Sequence, residues 1–203
     1  MSTYATPARS RNTRTVVEIG LMLGLFAILD YLGIRLPMNI AGGSISLAMV
    51  PVLLYALLRG PKLGLLLGLL AGSIDMLIQP FFVHPVQFVL DYPVAYGAVG
   101  LAGLLSAPVL AALRSKRHVV ALAWTTVAAV LGGVARLASH FASGVVFFGS
   151  YAPEGQPVWL YSLVYNASYM APSVVASAAV LLAVLIPVAR VVLADEMSEG
   201  DQL

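Results

Sequence analysis

The chain has 203 residues, 60% of them hydrophobic and only 10% charged, with 11 Lys and Arg against 9 Asp and Glu, a net charge of +2 and a mean hydropathy of +0.93. Soluble domains carry roughly 25% charge, so this composition excludes one. The apolar content supports at most about six helices of the roughly 20 residues that cross a bilayer.

Lipid offers no hydrogen-bond partner to a backbone, so the spans must be helical, and the expected class is an all-α integral membrane bundle in a single domain, 1–203. The absence of cysteine excludes disulfides and thiolate metal sites. With so small a net charge, the pI of 9.0 does not indicate a nucleic-acid partner.

In chain order, residues 1–15 form a polar basic segment with Arg9, Arg11 and Arg14, followed by an apolar run from Val16 to about Leu36. That run is longer than the core of a secretory signal, lacks a small-residue exit and leads into more membrane sequence, so it reads as a first span. Five further spans are expected at about Ile45–Leu58, Lys62–Ile78, Val86–Leu113, Val119–Phe148 and Tyr161–Leu193. The second and third are short and joined by the turn Arg59-Gly60-Pro61-Lys62. The last two exceed the length needed to cross and should tilt or project.

Nine of the eleven basic residues (Arg9, Arg11, Arg14, Arg59, Lys62, Arg114, Lys116, Arg117, Arg190) fall on one side of an even-numbered bundle. The positive-inside rule makes that side cytoplasmic, with both termini inside and the acidic residues of 194–203 as a cytoplasmic tail. Loops 36–45, 79–86 and 149–160 then face outward. No Gly-rich phosphate loop is present, so any ATP-driven work needs a partner chain.

Gly20 and Gly24 share one helix face, as do Gly64, Gly68 and Gly72, and small residues at this spacing let backbones approach closely. For the third span the reading is internal packing; the first has an exposed face that can meet another membrane protein. Charged and polar groups at membrane depth mark functional sites by default, and Asp75, Asp91, Arg136 and His140 stand out. Asp75 and Arg136 also read as a structural ion pair. Asp91 has Gln87, Tyr92 and Tyr96 at helical spacing, and Pro93 removes a backbone donor beside it.

The densest cluster runs from 136 to 169. His140 and Gly144 share a face, Phe147 and Phe148 follow one turn on, and Tyr161, Tyr165 and Tyr169 form a second stripe around Asn166. Tyr151 and Trp159 read equally well as an interfacial aromatic belt. With Asp91, this set describes an aromatic pocket for a planar, hydrogen-bonding, cationic ligand. A catalytic reading is weak, because Ser139 projects about 100° away from the adjacent His140 on a helix. His84, His118 and His140 lack metal-ligand spacing, and no cofactor is expected.

The stretch from His140 through Gly144 to Tyr151-Ala-Pro, followed by Trp159-Leu-Tyr161 and Tyr165-Asn166, resembles the thiamine-specific substrate-binding (S) component of energy-coupling factor (ECF) transporters, the ThiT family. Glu18-Ile19-Gly20, Val50-Pro51, Leu58-Arg59-Gly60 and Leu90-Asp91-Tyr92 extend the resemblance over most of 16–190. It implies a six-helix S component in a prokaryotic plasma membrane, not an enzyme. Such a component captures thiamine from outside and docks on a transmembrane coupling protein driven by two ATPase subunits.

By the same resemblance, ligand contacts fall on Asp91, Tyr92, His140, Gly144, Tyr161 and Asn166, with Gln87 adjacent and Phe148 packing on the rings. Asp91 would also offset the thiazolium charge, and Gly20 and Gly24 match the docking motif. This chain has Asp91 where the family commonly has Glu, Phe148 where it has Trp, and no aromatic in loop 36–45, whose Gly42-Gly43 pair would hinge a lid. The alternatives are an S component for a thiamine precursor or another cationic heterocycle, and an intramembrane enzyme using His140 and Asp91.

Overall fold

The computed structural model describes residues 8–35 and 44–200, with side chains over 12–33 and 44–193. Six helical segments follow one another: α1, Ala8–Tyr31; α2, Met49–Arg59; α3, Pro61–Ile78; α4, Pro85–Arg114; α5, His118–Phe147; and α6, Val158–Gly200. Five are long and apolar enough to cross a membrane. The exception is α2, whose 11 residues rise only about 16 Å.

Ten of those eleven residues, Met49 to Leu58, are buried. The second span is therefore the core of the bundle: it is wrapped by the longer helices, whose Phe26, Leu67, Tyr96 and Leu181 share one buried cluster with its Met49, Leu53 and Leu57. A helix apolar on every face belongs in a protein core or in a membrane, and this one is in the core.

Two boundaries depart from the sequence expectation. Helix α1 stops at Tyr31 instead of near Leu36, and Ile45 belongs to a strand instead of the second span. Between them Ile34–Arg35 (β1) and Ser44–Ile45 (β2) pair antiparallel, Ile34 opposite Ile45 and Arg35 opposite Ser44. Gly33 allows this exit, since its N–H donates to the Asp30 carbonyl (3.0 Å) and a Cβ there would press on Ser44 and Ser46 at 3.2 Å. Ser46 braces the approach to α2: its Oγ accepts from Ala48 N–H (3.0 Å) and donates to the Leu29 carbonyl (3.2 Å). The segment 36–43, with the hinge expected at Gly42-Gly43, lies outside the described residues.

The glycines of α3 serve packing, as expected. A Cβ on Gly68 or Gly72 would collide with the carbonyls of Tyr96 and Tyr92, and one on Gly64 would stand 3.0 Å from the Gly100 carbonyl. Helices α3 and α4 thus meet backbone to backbone. In α4 the ladder opens to a single π turn at Leu90–Val94 around Pro93 and tightens to a 3₁₀ stretch at Gly100–Leu105. Single π turns occur frequently at functional sites, and this one carries Asp91 and Tyr92.

Gly20 and Gly24, by contrast, have nothing near where a Cβ would stand. They lie with exposed Val16, Val17, Leu21 and Ile28 on α1. Toward the basic end of the bundle, Glu18 accepts from Arg14 Nε (3.0 Å) and from Arg59 Nε (2.9 Å), tying α1 to the end of α2.

Candidate functional site

A cavity of about 370 Å³ opens among the outer halves of α1, α3, α4, α5 and α6. On α5, Arg136, His140 and Gly144 line it at spacing four, and Phe148 just beyond the helix continues the row. From Arg136 at the floor to Phe148 at the mouth the row rises about 18 Å. Helix α6 contributes Tyr161, Ser162, Tyr165, Asn166 and Tyr169 on the facing side, and α4 contributes Gln87, Asp91, Tyr92 and Tyr96.

Asp91 is held from three directions. Its Oδ2 accepts from Gln87 Nε2 (2.7 Å) and Ser143 Oγ (2.9 Å), and its Oδ1 faces His140 Nδ1 at 3.1 Å. A carboxylate can only accept, so this contact places a proton on Nδ1, and in the neutral ring Nε2 is then an acceptor. That Nε2 is buried and has no partner among the described residues.

Gln87 in turn fixes the loop before α4: its Oε1 accepts from Val83 N–H (3.0 Å) and its Nε2 also donates to the Phe81 carbonyl (3.0 Å). The Tyr92 hydroxyl donates to the Gln79 carbonyl and accepts from Phe81 N–H, both at 2.7 Å. These contacts carry Phe81 to Phe148, with ring centroids 6.0 Å apart in a stacked arrangement at the mouth.

Asn166 is equally constrained. Its Nδ2 donates to the carbonyl of Ser162 (2.8 Å) and that of His140 (3.3 Å), while its Oδ1 accepts from the Tyr169 hydroxyl (2.6 Å). One lone pair of Oδ1 remains. Gly144 makes this approach possible, because a Cβ there would overlap Ser162 Oγ and stand 3.2 Å from Asn166 Nδ2. Tyr161 stacks obliquely on Tyr165 at 5.7 Å, and Tyr169 meets His140 edge-on at 6.1 Å. The site therefore offers aromatic walls and open acceptors on Asp91, Asn166 and His140.

The family described as Thiamine transporter protein (Thia_YuaJ) matches residues 16–193. The chain belongs to this family. It is 40% identical to the thiamine transporter ThiT of Bacillus subtilis (strain 168) over 190 residues, 93% of this chain and 98% of the relative. It is 33% identical to ThiT of Lacticaseibacillus paracasei over 126 residues, 60% of this chain and 63% of that protein. The solved structure of ThiT from Listeria monocytogenes superposes with a TM-score of 0.77 at 26% identity, covering 86% of this chain and 94% of that one.

Membership in the thiamine transporter family makes the chain a multi-pass plasma-membrane protein and a transporter, not an enzyme. Nearby, Ser139 Oγ donates to the Leu90 carbonyl (2.7 Å), and Ser143 Oγ donates to Asp91.

All eight residues singled out in the sequence (Gln87, Asp91, Tyr92, His140, Gly144, Phe148, Tyr161 and Asn166) line this one cavity. Tyr151 and Trp159 do not line it and are exposed at the outer end. Sequence reasoning missed Ser143, which shares the His140 face one turn from it, and Asp30, an acid in the last turn of α1. Asp75 and Arg136, read as a possible ion pair, meet Asp30 at the cavity's inner wall.

Proposed function

We propose that the protein is the substrate-capture subunit of an ECF-type vitamin importer and that it takes thiamine from the extracellular side. The observation that carries the reading is the set of open acceptors in an aromatic cavity: a lone pair each on Asp91 and Asn166, and Nε2 of His140. A ligand that donates N–H groups from a flat ring satisfies them, and burying them unpaired costs about 1–3 kcal/mol each. In this reading Asp91 and Asn166 accept from the exocyclic amine of the aminopyrimidine, while His140, Tyr92 and Phe148 pack against the rings. Gln87 and Gly144 act indirectly, the first by holding Asp91 and the second by admitting Asn166.

The names of the relatives, both called thiamine transporters, support the ligand. Since Phe148 offers a smaller face than the tryptophan common in the family, a thiamine precursor is the competing ligand. The whole chain, 1–203, acts as one membrane domain, with 1–15 and 194–203 in the cytoplasm. Gly20 and Gly24, bare on the outside of α1, form the docking face for a transmembrane coupling protein that works with two ATPase subunits.

The test is native mass spectrometry of the purified protein, with a denaturing extract to identify what is released. Thiamine recovered unchanged supports the reading. A pyrimidine or thiazole precursor in its place moves the protein to the precursor assignment, and a chemically altered product contradicts transport without chemistry.

A further inference from the structure

Ser143 follows His140 by three residues on α5 and is fully buried; unlike His140 and Gly144, it does not line the cavity. A buried hydroxyl in a helix can return to the carbonyl one turn back, as Thr125 does to Ala121 (2.8 Å) and Ser173 to Tyr169 (2.7 Å). Ser143 instead crosses to α4, where its Oγ donates to Asp91 Oδ2 at 2.9 Å. It touches no ligand, but it touches the acid that would.

That bond completes one side of the carboxylate. Each carboxylate oxygen offers about two acceptor positions. Oδ2 takes Gln87 Nε2 (2.7 Å) and Ser143 Oγ and is filled, whereas Oδ1 takes His140 Nδ1 alone (3.1 Å). Asp91, which lines the cavity, therefore keeps one free acceptor position, on Oδ1. The terminal torsion of an aspartate is soft, and without Ser143 each oxygen would have a single donor, leaving the carboxylate free to rock. Ser143 also occupies the space beside a short acid: a stem one methylene longer at position 91 would carry its oxygens toward Ser143 Oγ.

We infer that Ser143 is a positioning residue for ligand recognition: by filling Oδ2 it aims Oδ1 of Asp91 at one N–H of the ligand, and so sets the preference for a ring that carries an amine. This rests on the thiamine reading of the cavity. The second acceptor for that amine, Asn166 Oδ1, is aimed in the same manner by the Tyr169 hydroxyl (2.6 Å). A ring without the amine leaves both acceptors unpaired, which a buried site penalises.

The experiment is titration calorimetry in detergent with thiamine and with its analogue carrying hydrogen in place of the ring amine, on the wild type, Ser143→Ala, Asp91→Glu and the double variant. The wild type should prefer thiamine by about tenfold or more. Ser143→Ala should weaken thiamine severalfold and leave the analogue, which has no such N–H to lose, nearly unchanged, so that the preference narrows. Asp91→Glu alone should also weaken thiamine, because its longer stem meets Ser143 Oγ. In the double variant the vacated space takes the extra methylene, and thiamine affinity should recover toward the wild-type value, a coupling that two independent losses do not produce. Losses that add in the double variant, or a preference untouched by Ser143→Ala, overturn the proposal while the thiamine reading stands. Equal wild-type affinities for the two compounds overturn it as well, and a wild type that binds neither removes both the proposal and the thiamine reading.

Discussion

Asp91 accepts three hydrogen bonds from the protein itself, and that network fixes the carboxylate in place before a ligand arrives. Preorganisation of this kind lowers the ordering cost of binding, and it offsets the shorter reach of aspartate compared with glutamate. Gly144 has the matching role on the other wall. Gly144→Ala should displace Ser162 and Asn166 and weaken thiamine binding about tenfold, near 1.4 kcal/mol, with the protein still monodisperse in size-exclusion chromatography; unchanged affinity would show that the close approach is not needed. Helical spacing made His140 and Gly144 readable as one face, since both lie on an uninterrupted helix. Asp30 escaped because its partners come from α3, α4 and α5, and nothing local distinguishes an acid at the end of an apolar run from an interfacial one.

The elements of the fold were legible where hydrophobic length decides them and illegible where short-range backbone contacts do. Five apolar runs became long helices, and even the shortness of the second was apparent. Its burial on all sides was not, because an 11-residue apolar helix looks the same in sequence whether it faces lipid or protein. The two-residue strands at Ile34–Arg35 and Ser44–Ile45 were hidden inside apolar stretches, and only Gly33 and the serines around β2 mark the break. The α3–α4 seam depends on glycine: Gly72→Val would drive methyl groups into the Tyr92 carbonyl. Overpacking costs about 1–3 kcal/mol, so Tm in detergent should fall by several degrees and thiamine affinity should fall with it, since Tyr92 lies beside the site. A Tm equal to wild type would contradict so tight a seam.

For the whole molecule, the distribution of charge and small residues divides the labour. Basic residues gather at one end of the helices, the cavity opens among the opposite halves, and the bare glycine face of α1 lies on the outside of the bundle. Gly20→Trp combined with Gly24→Trp should abolish co-purification with the coupling complex and abolish thiamine uptake in cells, while thiamine binding in detergent stays within about twofold of wild type. Uptake that survives both tryptophans would refute docking through this face. The binding cavity and the docking face are then separable functions of one bundle.

The central claim is that the cavity between α4, α5 and α6 is a thiamine site, and calorimetric titration of the purified protein with thiamine tests it most directly. The wild type should show saturable binding at one site per chain, and Asn166→Ala should weaken it at least tenfold, about 1.4 kcal/mol or more. Absence of thiamine binding by the wild type, or an Asn166→Ala variant that binds as tightly, would contradict it.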